Sequence, residues 1–214
     1  MGKFIKGLMG GFSGKVGNII GSTWNGIDYM RSLPRPSSKA PSDLQLVQRA
    51  KFGFANGFLG PVGSLINLGF RTQASKKTGF NMAIAHVIAE AITGTYPDFE
   101  LDYTKVLFSK GSLEGIWNMV GSSTEAGEIN FVWQNNTGIG TAKETDKVVI
   151  LMYNAAKSKF VYSLENAVNR SAAMVSIAVP DSFSGDTLQV WVAAMTPDKA
   201  NFSTSIHAGE IVMA

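Results

Sequence analysis

The spacing of hydrophobic and polar residues divides the chain into three parts. Between residues 42 and 95, apolar side chains recur at three- and four-residue intervals, which predicts amphipathic helices. From Tyr96 onward, apolar and polar side chains alternate in short runs, which predicts strands with one buried face. Glycine and proline interrupt both patterns before residue 42. We therefore predict a β-hairpin arm with a proline-rich linker (1–41), a helical region (42–95) and a β-sandwich domain (96–214).

The helical region is predicted to begin at Ser42 or Asp43, whose side-chain oxygens can accept hydrogen bonds from the free N–H groups of a first turn. A second short helix is expected over 62–70 and a third over 80–92. The positions of the first helix that share the apolar spacing, and that we expect to face the core, are Leu46, Val47, Ala50, Phe54 and Phe58.

The β-domain is predicted to be antiparallel, since its short strands recur at regular intervals with turn-rich gaps between them. We expect Trp133 to be its central core aromatic, with Trp117 and Trp191 as further core candidates. The predicted strands are 102–109, 115–122, 128–134, 146–154, 160–164, 172–179, 187–195 and one within 203–213. The predicted fold class is α+β, in which an N-terminal β-hairpin arm and short helices precede an antiparallel immunoglobulin- or fibronectin-like β-sandwich.

The arm is predicted to be a β-hairpin that lacks a core of its own, because it precedes every element that could supply one. Its turn is signalled by Asn25-Gly26, since a type I′ turn needs positive φ at both central residues. Gly14, Gly17 and Gly21 are placed in its first strand, where a backbone or a bulky side chain has to pack against them. The arm can dock on its own sandwich or on another copy, and we expect another copy. Its predicted contact residues are Val16, Ile19, Ile20, Trp24, Asn25, Gly26 and Tyr29.

Charge is distributed unevenly, although the net formal charge is only +3. Residues 1–80 hold eleven Lys and Arg against two acidic residues, a balance of +9, and the remainder holds eight against fourteen, a balance of −6. Such a chain is suited to bind nucleic acid or an anionic surface through its first part, or to bind a neighbouring copy head to tail. The basic contact candidates are Arg31, Arg35, Lys39, Arg49 and Lys51.

The sequence shows no catalytic constellation. It has no cysteine, two histidines and no G-x-S-x-G motif, and it lacks the alternating acids of a calcium loop. His86 is predicted to be a packed or partly exposed helical histidine. Four acidic residues are predicted to be solvated side chains of two loops: Glu125, Glu128, Glu144 and Asp146. We therefore predict that the protein is not an enzyme and uses neither a metal nor a cofactor.

Targeting signals are not recognisable in the sequence. The apolar patch at the N-terminus is broken by glycine, whereas a signal peptide needs a longer uninterrupted stretch. No apolar run approaches the roughly 20 residues of a membrane-spanning helix. The expectation is a cytoplasmic protein, or one that is released or built into a virion-like particle by another route.

Three segments resemble an uncharacterised protein family, a domain of unknown function abundant in Bacteroidota. They are SGKVGNIIGSTWNGIDYMRSLP (Ser13–Pro34), QLVQRAKF (Gln45–Phe52) and GTYPDFELDYTKVLFSKGSL (Gly94–Leu113). The resemblance extends over essentially the whole chain and implies no activity, because that family has none assigned. The order of arm, proline-rich link and Q-x-x-x-R-A-K-F helix is also similar to phage-derived virion or tail assembly proteins.

The leading functional prediction is a non-enzymatic structural or assembly protein. It would self-associate into an oligomer or filament through its arm and its oppositely charged ends. The alternative is a nucleic-acid or anionic-surface binding module that uses the basic N-terminal third, because basic and aromatic residues together are typical of single-strand binders. Carbohydrate binding through exposed aromatic residues of the sandwich is a third hypothesis, and it depends on the fold alone.

Overall fold

The computed structural model describes residues 3–4, 11–24, 26–35, 39–73 and 77–214. The chain divides into two compact units, 1–43 and 44–214. The first unit is formed by the arm, and the second contains the helices and the strands of the sandwich. Asn25 of the predicted turn, and 36–38 of the predicted linker, lie outside the described residues.

The first unit is an antiparallel sheet with the strand order β1-β2-β3-β4. Its strands are β1 (Lys3–Phe4), β2 (Phe12–Val16), β3 (Ile19–Trp24) and β4 (Ile27–Ser32). The predicted hairpin corresponds to β3 and β4, and Gly26 supplies a positive φ of +79° at its turn. The placement of Gly17 in a strand was wrong. This glycine has a φ of +58° and lies in the turn between β2 and β3, because such a left-handed conformation suits glycine.

The second unit begins with helices that pack on one face of a sheet. They are α1 (Asp43–Leu59), α2 (Gly63–Gly69) and α3 (Gly79–His86), and a π-helical turn at Val87–Ala91 continues α3. The predicted core-facing stripe of α1 was partly wrong, since Ala55 and Leu59 are buried whereas Leu46 and Phe54 are exposed. Apolar residues occur on several sides of this helix, so the spacing alone does not decide which side is covered.

A hairpin of β5 (Ile92–Thr95) and β6 (Asp98–Leu101) follows the helices. The strand predicted over 102–109 was wrong. Asp102 instead begins a short 3₁₀ turn at Tyr103–Lys105, where its Oδ1 accepts a hydrogen bond from the backbone N–H of Thr104 at 3.1 Å. A local side-chain acceptor of this kind competes with strand pairing.

The remaining strands form two antiparallel sheets. They are β7 (Trp117–Glu125), β8 (Glu128–Gln134), β9 (Lys147–Asn154), β10 (Lys159–Tyr162), β11 (Val168–Asn169), β12 (Met174–Ala178), β13 (Thr187–Met195) and β14 (Ile206–Val212). The smaller sheet has the order β12-β8-β7, and the larger has the order β10-β9-β13-β14 with β11 beside β9. This division of strands over two sheets is that of an immunoglobulin- or fibronectin-like sandwich. The predicted α+β fold class is therefore confirmed.

The two central strands of the larger sheet, β9 and β13, are buried on both faces and separate two hydrophobic cores. On one face, Leu151 and Trp191 pack with the helices. On the other face, Ile150 and Val190 pack with Phe131 of the smaller sheet. Because successive side chains of a strand point to opposite faces, β9 and β13 are apolar along almost their whole length.

The tryptophan predictions were mostly confirmed. Trp133 is buried in the core between the two sheets, where its Nε1 donates to the carbonyl of Arg170 at 2.9 Å. Trp191 is buried too, but in the core beneath the helices. Trp117 is only half-buried, and its Nε1 donates to Glu114 Oε1 at 3.2 Å.

Candidate assembly surface

The arm sheet leaves its large apolar side chains exposed to solvent. The extremes are Ile27 and Met30, which are 65% and 69% exposed. Ile20 is half-buried, and among the described side-chain positions of the arm strands only Gly21 is buried. A sheet with so little burial has no core, and it needs a partner layer to be stable. The exposed apolar residues are Val16, Ile19, Trp24, Ile27, Tyr29, Met30 and Leu33.

The strand register sorts these side chains onto two faces, because directly opposite residues of antiparallel strands share a face. On one face, Ile20 lies opposite Lys15 and Arg31, and Trp24 lies opposite Ile27. On the other face, Ile19 lies opposite Val16, and Met30 lies opposite Gly21. Both faces therefore present apolar groups, and one of them also carries two basic side chains.

The end of the first face forms a shallow apolar concavity. Trp24, Ile27 and Tyr29 line a cavity of about 350 Å³. Lys15 and Arg31 lie further along the same face, on either side of Ile20. This arrangement can hold an apolar or planar group at one end and a negatively charged group at the other.

β4 is an open edge. In the described part of the arm it pairs with β3 on one side, and no strand pairs with its other side. All six of its side chains are exposed. Asp28 accepts a hydrogen bond from Thr23 Oγ1 at 2.5 Å, which fixes that carboxylate on β3. An edge of this length with exposed apolar side chains is a template for pairing with another strand.

The predicted basic contact residues are divided between the two units. Arg31, Arg35 and Lys39 belong to the first unit and are exposed. Arg49 and Lys51 belong to α1 of the second unit. Lys51 is half-buried, and its Nζ lies 5.7 Å from the centre of the Phe99 ring, which is cation–π geometry.

Sequence reasoning missed a buried ion pair. Arg170 and Asp146 are both fully buried, with Arg170 Nη2 at 3.3 Å from Asp146 Oδ2. Burial lowers the pKa of Arg170, and the nearby Asp146 acts in the opposite direction. Asp146 was predicted to be a solvated loop residue, and that prediction was wrong. The carbonyls of Glu114 and Gly115 also accept hydrogen bonds from this guanidinium. The pair therefore links neighbouring loops, and its role is structural.

A second feature that the sequence did not reveal is an aromatic-lined cavity in the second unit, of about 610 Å³. Phe58 meets the Tyr153 ring edge to face at 5.0 Å, and Tyr153 lies 4.5 Å from Phe160. Burial raises the pKa of Tyr103, which also lines the cavity. These aromatic residues come from α1, the 3₁₀ turn and two strands, so no local pattern links them.

The two histidines have structural partners. His86 Nε2 lies 3.0 Å from the carbonyl of Lys105. His207 Nε2 lies 2.9 Å from Gln189 Oε1, and burial lowers the pKa of this imidazole. Among the described residues, no group of three or more histidine, aspartate or glutamate side chains is placed to hold a metal ion. None of the described helices is long and apolar enough to cross a membrane.

Comparisons with known proteins add the following. The fibronectin type III domain of human collagen alpha-1(XX) is 16% identical, with 50% of this chain and 93% of that domain covered and a TM-score of 0.36. The FN1–FN3 domains of chicken CNTN1 are 14% identical, with coverage of 49% and 33% and a TM-score of 0.35. A fibronectin type III domain of human contactin 1 is 12% identical, with coverage of 50% and 83% and a TM-score of 0.33. Curated proteins gave no match. The sequence model of a protein family, described as a family of unknown function (DUF6266), matches residues 11–209, and the chain belongs to that family.

Proposed function

We propose that this protein is a non-enzymatic structural or assembly protein that self-associates into an oligomer or filament through its N-terminal arm. The observation that carries the proposal is the open β4 edge, with apolar side chains exposed on both faces of its sheet. Pairing with a strand of another copy would satisfy the unpaired backbone groups of this edge and cover its side chains.

Charge supports contact between different surfaces of two copies rather than between identical ones. The first unit holds six Lys and Arg against two acidic residues, whereas the second holds thirteen against fourteen. Two arms would repel each other, but an arm and an acidic part of the second unit would attract. A heterologous contact of this kind gives rings or open filaments.

The resemblance to phage-derived virion and tail assembly proteins supports the same proposal. The order of arm, proline-rich link and helix is what the two have in common. An origin in Bacteroidota, where the resembling family is abundant, stays a prediction.

Light scattering after size-exclusion chromatography tests the proposal. We expect the full chain to be larger than a monomer, and the chain shortened to begin at Ser42 to be monomeric. In the full chain, Ile27→Lys with Met30→Lys should also give a monomer, because it puts charge on both faces of β4. Val120→Lys is the control, since Val120 is about as exposed but lies on β7. A full chain that is monomeric at all concentrations contradicts the proposal.

A second candidate function is binding of single-stranded nucleic acid, which the register of the arm favours. Trp24, Tyr29, Lys15 and Arg31 share one exposed face of the arm sheet. Single-strand binders use aromatic rings for stacking on bases and basic side chains for the phosphates.

Fluorescence polarisation with a labelled oligonucleotide tests this candidate. Affinity should fall steeply as salt rises, and Trp24→Ala with Tyr29→Ala should remove most of it. A liposome pull-down at the same low salt would show whether any anionic surface serves equally well. No binding in either assay excludes this candidate and leaves the assembly proposal standing.

A further inference from the structure

The edges of the sandwich differ in how well they are protected from pairing. Charge, irregular register and short length are the usual protections of an edge strand. β10 carries Lys159, β14 carries Glu210, and the pairing of β7 with β8 has register shifts. β12 has neither charge nor an irregular register, since it pairs with β8 without a break, and its five residues are enough for a partner strand to pair with.

β12 also borders an open groove in the second unit. The groove has a volume of about 590 Å³ and runs between β10 and β12. Most of its apolar lining is half-buried, and it comes from β10, β12, α2 and the loop after β10. On the opposite side of the sandwich the two sheets are joined by a hydrogen bond: the backbone N–H of Ala214, which follows β14, donates to Ser123 Oγ on β7 at 3.1 Å. The half-buried apolar lining residues are Leu68, Val161, Leu164, Val175 and Ile177.

Acidic side chains gather at the C-terminal end of β12. Glu128 lies opposite Ala178, the last residue of β12, and Glu125 lies opposite Glu128 across the β7–β8 turn. Asp181 belongs to the same end, because a Cβ at Gly127 would lie 2.5 Å from its Oδ1. A strand that adds to β12 should therefore place positive charge at this end.

We infer that β4 of a second copy pairs with β12 in parallel orientation, at the border of this groove. The inference rests on the proposed self-association and identifies β12 as the strand to which the arm of another copy pairs. β4 has six residues against five for β12. Parallel pairing brings Arg31 to the acidic end, whereas antiparallel pairing would bring Asp28 there. Parallel pairs are slightly less stable per residue, but like charges at an interface cost more.

A pair of matched double variants of the full chain tests the acceptor. Met174→Lys with Ala178→Lys puts charge on β12, and Val120→Lys with Val212→Lys puts the same charge on β7 and β14. The substituted residues are exposed in both variants, with Met174 at 63% and Val212 at 64%. We expect the β12 variant to weaken self-association by at least about tenfold, or 1.4 kcal/mol. The control should change it less than about twofold, with equal thermal unfolding midpoints for both.

Cysteine cross-linking tests contact and orientation, because the natural chain has no cysteine. Copies with Ile27→Cys or Asp28→Cys are mixed under oxidation with copies that carry Met174→Cys or, as the control, Val212→Cys. A disulfide needs Cα atoms about 4.4–6.8 Å apart, so only parallel pairing should link position 27 or 28 to 174. Arg31→Cys and Ser32→Cys should not link to 174.

The outcomes separate this inference from the proposed function. If the full chain associates but charge on β12 has no effect and no link to 174 forms, the acceptor is wrong and arm-mediated assembly stands. Links from 31 or 32 to 174 overturn the parallel orientation. A full chain that stays monomeric overturns both proposals at once.

Discussion

The two units use apolar strands in opposite ways. In the second unit, β9 and β13 are covered on one face by helices and on the other by the smaller sheet. In the first unit, β3 and β4 also carry apolar side chains on both faces, yet most of these remain exposed. Both sheets are antiparallel, so strand direction does not explain the contrast.

The difference lies in the layers that each sheet receives. Burial of a sheet that is apolar on both faces requires a layer on each side. The central sheet obtains both layers from its own unit, and they contribute most of its stability through area removed from water. The arm obtains neither within its own described residues. The apolar composition of a strand thus indicates how many of its faces must be buried, and the topology of the unit determines whether that unit provides the burying layers.

The largest difference between the two units is expected when one tryptophan in each is replaced. Trp191 is fully buried, and its Nε1 donates to the carbonyl of Tyr103 at 3.0 Å, whereas Trp24 is 48% exposed. Trp191→Ala should lower the free energy of unfolding by about 3–5 kcal/mol, and Trp24→Ala by less than about 0.5 kcal/mol. Urea denaturation at low protein concentration measures both. Equal losses would mean that the arm has a core in solution.

Loss of a buried charge partner should have the next largest effect. Arg170→Met leaves the Asp146 carboxylate buried without its cation, which should cost about 3 kcal/mol. The exposed Arg31→Met in the arm is the matched control and should change stability by less than about 0.5 kcal/mol. Denaturation of the double variant, Arg170→Met with Asp146→Leu, should recover part of the loss. No recovery would show that the guanidinium acts through its hydrogen bonds to loop carbonyls rather than through the ion pair.

The burial of Asp146 and Arg170 could not be predicted from the sequence, whereas the bounds of some strands could. The bounds of β8 and β13 match the predictions of 128–134 and 187–195, because long runs of apolar side chains between turn residues define a strand locally. Asp146 could not be recognised as buried, since its partner is distant in sequence. The available signal was Arg170 itself, which is followed closely by apolar strand residues, but nothing in the sequence connects Arg170 with Asp146.

The arm was predictable as a surface but not in detail. Its lack of a core follows from its position before every helix. The Asn25-Gly26 dipeptide indicates the β3–β4 hairpin. The sequence did not show that residues 12–24 form two strands, β2 and β3, rather than one, because Gly17 is equally compatible with a strand and with a turn. The division of Trp24 and Met30 between opposite faces depends on the register, which only the paired strands define.

A smaller effect is expected from adding one methyl group to a glycine in each unit. A Cβ at Gly21 would lie 2.1 Å from the backbone carbonyl oxygen of Phe12, whereas a Cβ at Gly53 of α1 meets nothing within 4 Å. Gly21→Ala should separate β2 from β3 and destabilise the arm by about 1–3 kcal/mol. Gly53→Ala should stabilise the second unit by about 0.5–1 kcal/mol, since glycine weakens a helix interior.

Hydrogen exchange with mass spectrometry distinguishes these two outcomes by region. Gly21→Ala should speed exchange in the arm and leave β9 and β13 unchanged, because the arm forms a separate compact unit. Faster exchange in β9 or β13 would show that the units unfold together.

The smallest predicted effect is a pH dependence that belongs to the second unit alone. The His207 ring lies 5.4 Å from the Trp191 ring. Burial lowers its pKa from the ordinary value of 6.5, against the weaker opposing influence of Glu210 and Asp102. The unfolded chain then binds the proton more readily than the folded chain, so the free energy of unfolding rises with pH in this range. Stability should therefore be highest above pH 6.5 and decline as the pH falls through that value, until the folded imidazole is protonated too.

Denaturation at a series of pH values, with His207→Gln as the test variant and His86→Gln as its matched control, measures this decline. The decline should flatten in His207→Gln and persist in His86→Gln. The carboxylates with lowered pKa, such as Asp102 and Asp186, reduce stability only at pH values near and below their ordinary 3.8, so they do not interfere. A decline that is unchanged in His207→Gln would assign the proton uptake to another group.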